Sequence, residues 1–121
     1  MHFRHYVAEP DRYALNRYDY EADRHWKIVD ARLGRQPYLL GGDYSMADMS
    51  VSGWARLIPH MFDDEGAFRR YPNIERLVDE IKARPAVDRV MALMGSRPFK
   101  TGNDTEAQRH LYPQLARFRP D

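Results

Sequence analysis

Cysteine is absent from this 121-residue chain. That excludes a disulfide framework, a thiol nucleophile, a zinc–thiolate centre and an iron–sulfur cluster. A dominant charge is missing too. Nineteen Lys and Arg stand against eighteen Asp and Glu, a net charge of +1, so no strong field draws the chain to nucleic acid or an anionic membrane. No run of 18 apolar residues exists, which excludes a membrane-spanning helix. The start, Met1-His2-Phe3-Arg4-His5, lacks the apolar stretch of a secretory signal. Repeats, low-complexity tracts and sustained period-two alternation are also absent. The expectation is a soluble, cytoplasmic, all-α domain. Its length suffices for one core but not two.

What is present is helical spacing punctuated by Pro and Gly. Leu15, Tyr18, Ala22, Trp26, Val29 and Leu33 step by three or four residues and predict an amphipathic helix over residues 10–33. Pro10 suits its first turn and Gly34 the position after its end. Residues 36–44 read as a loop turning at Gly41-Gly42-Asp43. A second helix starts at Ser45 with Ala47, Val51, Trp54, Ala55 and Ile58 on its apolar side, and Pro59 is expected to kink or end it. Pro72 opens a third helix carrying Ile74, Leu77, Val78 and Ile81. Pro85 starts a fourth, with Val87, Val90, Met91 and Met94 expected inward. Residues 105–111 form a short helix capped by Asp104 or Thr105. The expected architecture is a right-handed bundle of about five helices, with the helices at 10–33 and 45–58 central. Residues 1–94 make the helical domain and residues 95–121 a weakly helical extension.

The sharpest local signal is Gly42-Asp43-Tyr44-Ser45-Met46-Ala47-Asp48. Ser45 and Asp48, three apart, can exchange side-chain and backbone hydrogen bonds in a capping box, and Tyr44 and Met49 stand where a hydrophobic staple would close. Asp48 as a general base is the sharper alternative, but the cap and the helix dipole already explain a carboxylate there. His2 and His5, three apart, have the spacing of metal ligands. With no third ligand near and no HExxH pattern, surface histidines are the expectation. Sixteen Arg accompany only three Lys. Arg12, Arg17 and Arg24 lie among Tyr6, Tyr13, Tyr18 and Tyr20, so a cleft for an anionic ligand or an interface stands beside the plainer reading of solvated helix faces. Trp26 and Trp54 are expected in the core.

Taken in order, Leu33, Tyr38-Leu39-Leu40-Gly41-Gly42-Asp43-Tyr44, Ser45-Met46-Ala47-Asp48, Trp54, Tyr71-Pro72-Asn73-Ile74 and Ala83-Arg84-Pro85-Ala86-Val87 resemble the C-terminal helical domain of cytosolic glutathione transferases. The resemblance covers about residues 1–94. His2-Phe3-Arg4-His5 with Tyr13-Ala14-Leu15-Asn16-Arg17-Tyr18 is similar to the bacterial Nu-class, the glutathione-dependent disulfide-bond oxidoreductases. In those proteins the arginine of a Tyr-Ala-Ile-Glu-Arg-Tyr motif reaches bound glutathione. That position is Arg17 here, with Asn16 in place of the usual Glu and a shorter loop before Tyr13.

The resemblance implies glutathione as a cosubstrate and a small electrophile as the other substrate, with no tightly bound cofactor and no metal. It implies a glutathione or substrate surface made from Arg17, Phe3, Tyr6 and Tyr13, and a structural cap made from Tyr44, Ser45 and Asp48. It also implies a homodimer or association with a thioredoxin-like domain, and neither nucleic acid nor membrane as partner. In the family that thioredoxin-like domain comes first and carries the activating side chain. This chain starts inside what would be the second domain's first helix, so it resembles half an enzyme and is expected to be inactive alone. A non-catalytic interaction domain is the alternative. Without the other domain, Phe3, Tyr6, Val7 and Tyr13 are expected to be bare or to lie under Phe99, Leu111, Tyr112, Leu115 and Phe118.

Overall fold

The computed structural model describes residues 2–7, 11–97, 104–111 and 113–114, with only the backbone of residues 105 and 108. Among them no strand forms, and the architecture is helical. A short π-helical segment, His2–Tyr6, precedes α1, Arg12–Leu33. α2 is Met46–Ala55, α3 is Ile58–Phe62, α4 is Pro72–Lys82, α5 is Pro85–Gly95 and α6 is Thr105–Leu111. A 3-10 turn, Ala67–Arg70, leads into α4.

Pro10 lies outside the described residues. The start of α1 is held by Asp11, whose carboxylate accepts hydrogen bonds from the Tyr13 amide at 2.7 Å and the Ala14 amide at 3.1 Å. The helix ends at Leu33 as its spacing predicts. Gly34 follows in a right-handed conformation, where a Cβ would stand 3.1 Å from the Asn73 side chain, so its use is close approach. Gly41, with φ of +136°, closes a tight turn whose amides and carbonyls pair with Tyr38.

The core comprises Leu33, Ala55, Ile58, Ala67, Tyr71, Ile74, Leu77, Val78 and Ile81. Four of these nine sit on α4, which packs on both α1 and α2. The centre of the bundle is therefore α4, not α1 and α2 as expected. Its apolar residues at 74, 77, 78 and 81 form one narrow stripe that both neighbours can reach, and each contributes about 1.5–3 kcal/mol when fully buried.

Three further expectations are corrected. Trp54 is 63% exposed. α2 instead turns Asp48, Ser52 and Ala55 inward. Asp48 must face inward to make its hydrogen bonds, and at 100° per residue that rotation points Trp54 outward. Val90, Met91 and Met94 are exposed as well, because α5 meets the core only through its first turn, at Val87. The second helix breaks at Arg56-Leu57, before Pro59, which occupies the first turn of α3 where a missing amide hydrogen costs nothing. Trp26 is half-buried against the core, its indole N–H donating to Met61 Sδ at 3.4 Å.

Candidate functional site

The loop before α2 is bound to Asp48. This fully buried carboxylate accepts from the Leu39 amide at 2.8 Å, the Ser45 amide at 2.9 Å and the Ser45 hydroxyl at 2.9 Å, and the reciprocal capping box is present. Burial pushes the Asp48 carboxyl up. The hydrogen bonds from Leu39 and Ser45 outweigh it and hold the group below the usual carboxylate range. A carboxylate with these lone pairs engaged and no access to solvent is a structural acceptor, not a base for an incoming substrate. Tyr44 packs its ring edge-on against Tyr38, at 5.7 Å between centroids, and under the Arg84 guanidinium at 3.6 Å. Met49, its expected staple partner, is exposed.

A cleft of about 300 Å³ opens between the His2–Tyr6 segment and α1, lined by His2, Phe3, Arg4, Leu15, Tyr18 and Asp19. Leu15, Tyr18 and Asp19 share one face of α1 by their three-and-four spacing. Phe3 lies parallel to Tyr18 with centroids 5.0 Å apart, and His2 meets the Phe3 ring edge-on at 5.1 Å. Arg4 forms an ion pair with Asp19. The next residue, His5, stacks on His60 of α3 at 4.0 Å, with its Nε2 2.7 Å from the His60 carbonyl oxygen. Side-chain pairs to α1 and α3 thus pin a segment that buries no residue fully.

The residues expected to bind glutathione or substrate divide between two faces. Phe3 lines the cleft. Tyr6 is half-buried beside the rings of His2 and His5. Tyr13 is 81% exposed. Arg17, one turn on, is also exposed and pairs with Glu21 at 3.0 Å. Glu21 takes Arg24 as well, at 2.9 Å, and the hydrogen bond from Arg24 is the main reason its carboxyl lies below the ordinary range. Tyr13 and Arg17 are neighbours on the solvent face of α1, away from the cleft lining. Arg4 and Asp19, which close the cleft, were not singled out in the sequence. They stand fifteen positions apart, and no spacing rule links them. Among the expected cover residues, Leu111 is exposed, and Phe99, Tyr112, Leu115 and Phe118 lie outside the described residues. Among the described residues no three His, Asp or Glu side chains converge on a point that would hold a metal. No described helix is long and apolar enough to cross a membrane.

The family model described as "Glutathione S-transferase, C-terminal domain" matches residues 3–92. The chain belongs to the glutathione S-transferase C-terminal domain family. It is 33% identical over 90 residues to a glutathione S-transferase domain-containing protein of Dictyostelium discoideum, covering 74% of this chain and 35% of that protein. It is 32% identical over 95 residues to the disulfide-bond oxidoreductase YghU of Escherichia coli, covering 73% of this chain and 32% of YghU. The disulfide-bond oxidoreductase YfcG of the same organism is 29% identical over 90 residues, covering 74% and 40%. The chain thus spans between about a third and just under half of the length of the curated relatives it matches. The match takes in the capping loop, all of α4 and the cleft lining apart from His2, so the Asp48 cap belongs to a glutathione transferase helical domain.

Proposed function

We propose that this chain serves as the helical half of a glutathione-dependent transferase or disulfide oxidoreductase, working with a thioredoxin-like domain and turning over no substrate alone. The match to the family's C-terminal domain over residues 3–92 carries the reading. That YghU and YfcG are disulfide-bond oxidoreductases favours thiol–disulfide chemistry. Such chemistry needs a thiolate held and stabilised by a donor beside the sulfur. In the resemblance the thioredoxin-like domain supplies that donor, and glutathione supplies the thiol as cosubstrate. This chain's part is two separate surfaces: Phe3 and Tyr6 beside the cleft, and Arg17 with Tyr13 on the outer face of α1. The cytoplasm, where glutathione keeps thiols reduced, is the proposed compartment.

The outer face of α1 supports a partner. Tyr13, Arg17, Tyr20, Arg24 and Ile28 succeed one another at helical spacing, all exposed. Tyr and Arg are the side chains that most often anchor interfaces. A second copy of the chain or a thioredoxin-like domain is the proposed occupant.

The test is reduction of a small disulfide by glutathione, followed with the chain alone and with a separately expressed thioredoxin-like domain of the glutathione transferase family added. The chain alone should give the uncatalysed rate, and the mixture should exceed it. Turnover by the chain alone, lost in Arg17→Ala, would overturn the proposal. A second reading, a non-catalytic interaction domain of the same fold, is favoured by the exposed Met46, Met49 and Trp54 on α2. It predicts that added domains of this kind bind without any gain in rate.

A further inference from the structure

The cleft beside α1 has an unusual charge arrangement. Its two fully charged side chains, Arg4 and Asp19, form an ion pair, with each side chain only about a quarter to a third exposed. Arg4 also holds its Nε buried with no hydrogen-bond partner among the described residues. The rest of the lining is aromatic or apolar: Phe3 stacked with Tyr18, Leu15, and the His2 ring at the Phe3 edge.

The chemistry of an occupant follows by elimination. A simple anion facing Arg4 also meets the Asp19 carboxylate, and a simple cation meets the reverse. A neutral apolar molecule would strip water from the ion pair and return nothing to it. A molecule with a carboxylate and an ammonium a few ångströms apart gives each partner an opposite charge. Arg suits the carboxylate because its planar fork can serve both oxygens. The volume, about 300 Å³, lies at the lower end of small-molecule sites and suits an amino acid or a short peptide end.

We infer that this cleft binds an α-amino carboxylate, with the carboxylate on Arg4, the ammonium on Asp19 and an apolar or aryl group along Phe3, Tyr18 and Leu15. A free amino acid carries this group, and so does the γ-glutamyl end of glutathione. With a free amino acid as ligand the inference goes beyond the transferase reading; with the γ-glutamyl end of glutathione it rests on that reading, and the two ligands are titrated separately.

The experiment is an amide-resolved NMR titration of the full chain with L-phenylalanine, glutathione, 3-phenylpropionate and phenethylamine in turn. The last two each lack one of the two charges. Phenylalanine or glutathione should shift the Leu15, Tyr18 and Asp19 amides saturably. Both single-charge analogues should bind about ten-fold or more weakly than phenylalanine, and if glutathione is the binder the two variants below carry the test of each charge. Binding of glutathione alone points to a peptide end as the source, and binding of phenylalanine alone to a free aromatic amino acid. Asp19→Asn should remove the advantage of the amine, and Arg4→Gln that of the carboxylate, with helicity by circular dichroism unchanged. The inference fails if neither zwitterion binds saturably. It fails equally if an analogue lacking one charge binds as tightly, or if both variants keep the full preference.

Discussion

α2 and α4 meet the same problem at their N-termini by different means. Each begins with backbone amides that have no partner inside the helix. α2 solves this locally: Ser45 and Asp48 sit three apart, and Asp48 also ties down the Leu39 amide across the loop. α4 has Pro72 in its first turn and no capping side chain from its own N-cap, Tyr71. Its amides are met by Asp30, more than forty residues earlier on α1. Asp30 accepts from the Asn73 amide at 2.8 Å, the Ile74 amide at 3.0 Å and Asn73 Nδ2 at 2.9 Å. A local cap orders a helix before the fold exists. A cap supplied by another helix exists only once the two have docked, so it adds to the cooperativity of the bundle. Tyr71 strengthens the same junction: its buried hydroxyl donates to Asp23 at 2.7 Å, and burial followed by that bond pushes its ionisation well above the usual range.

The largest expected effect comes from Asp48→Ala. It strands a buried amide at Leu39 and removes the cap, so urea unfolding should lose about 2–4 kcal/mol. The same carboxylate gives a pH signature. Its folded-state ionisation is depressed, so its stabilisation is present above the unfolded carboxylate range and is lost as pH falls through the folded value. Melting temperature should drop on acidification below about pH 4, and Asp48→Asn should flatten that part of the curve. An unchanged acid limb in Asp48→Asn would assign the acid sensitivity elsewhere.

Asp30→Ala comes next, with a loss of about 1–3 kcal/mol. A double-mutant cycle with Asn73→Ala sharpens the comparison: the two should couple, whereas Asp30→Ala and Ser45→Ala should add within error. Strong coupling between the two caps would break the distinction drawn between local and remote capping. Ser45→Ala alone should cost about 1 kcal/mol, because Asp48 keeps its bonds to the Leu39 and Ser45 amides. The smallest effect belongs to Trp54→Ala. With the indole mostly in water, unfolding free energy should move by less than about 0.5 kcal/mol, and a loss of several kcal/mol would show that the ring is covered in solution.

Much of the fold was legible because it depends on short-range rules. Proline positions, Gly41 and the three-and-four spacing of α1 and α4 mark helices whatever their neighbours do. The capping box was legible because both of its members lie within one turn. Trp54 misled for a physical reason: an apolar side chain on a helix declares that some face is apolar, but the inward demand of Asp48 set the rotation. Val90, Met91 and Met94 misled in a related way, since spacing describes a stripe and not what stands opposite it. Of the candidate site, the sequence singled out Phe3, Tyr6, Tyr13 and Arg17 through resemblance. It gave no sign that Phe3 and Tyr18 would stack, or that Arg4 would reach Asp19.

The sequence by itself determined the helical class, the family and the cap of α2, because each depends on residues a few positions apart or on an ordered series of motifs. Tertiary structure alone decided that α4 is the centre, that Asp30 caps it and that Arg4 and Asp19 close a cleft. Those outcomes depend on which helix faces meet. That choice is made by the summed burial of many side chains and by partners distant in the chain, which no local spacing encodes.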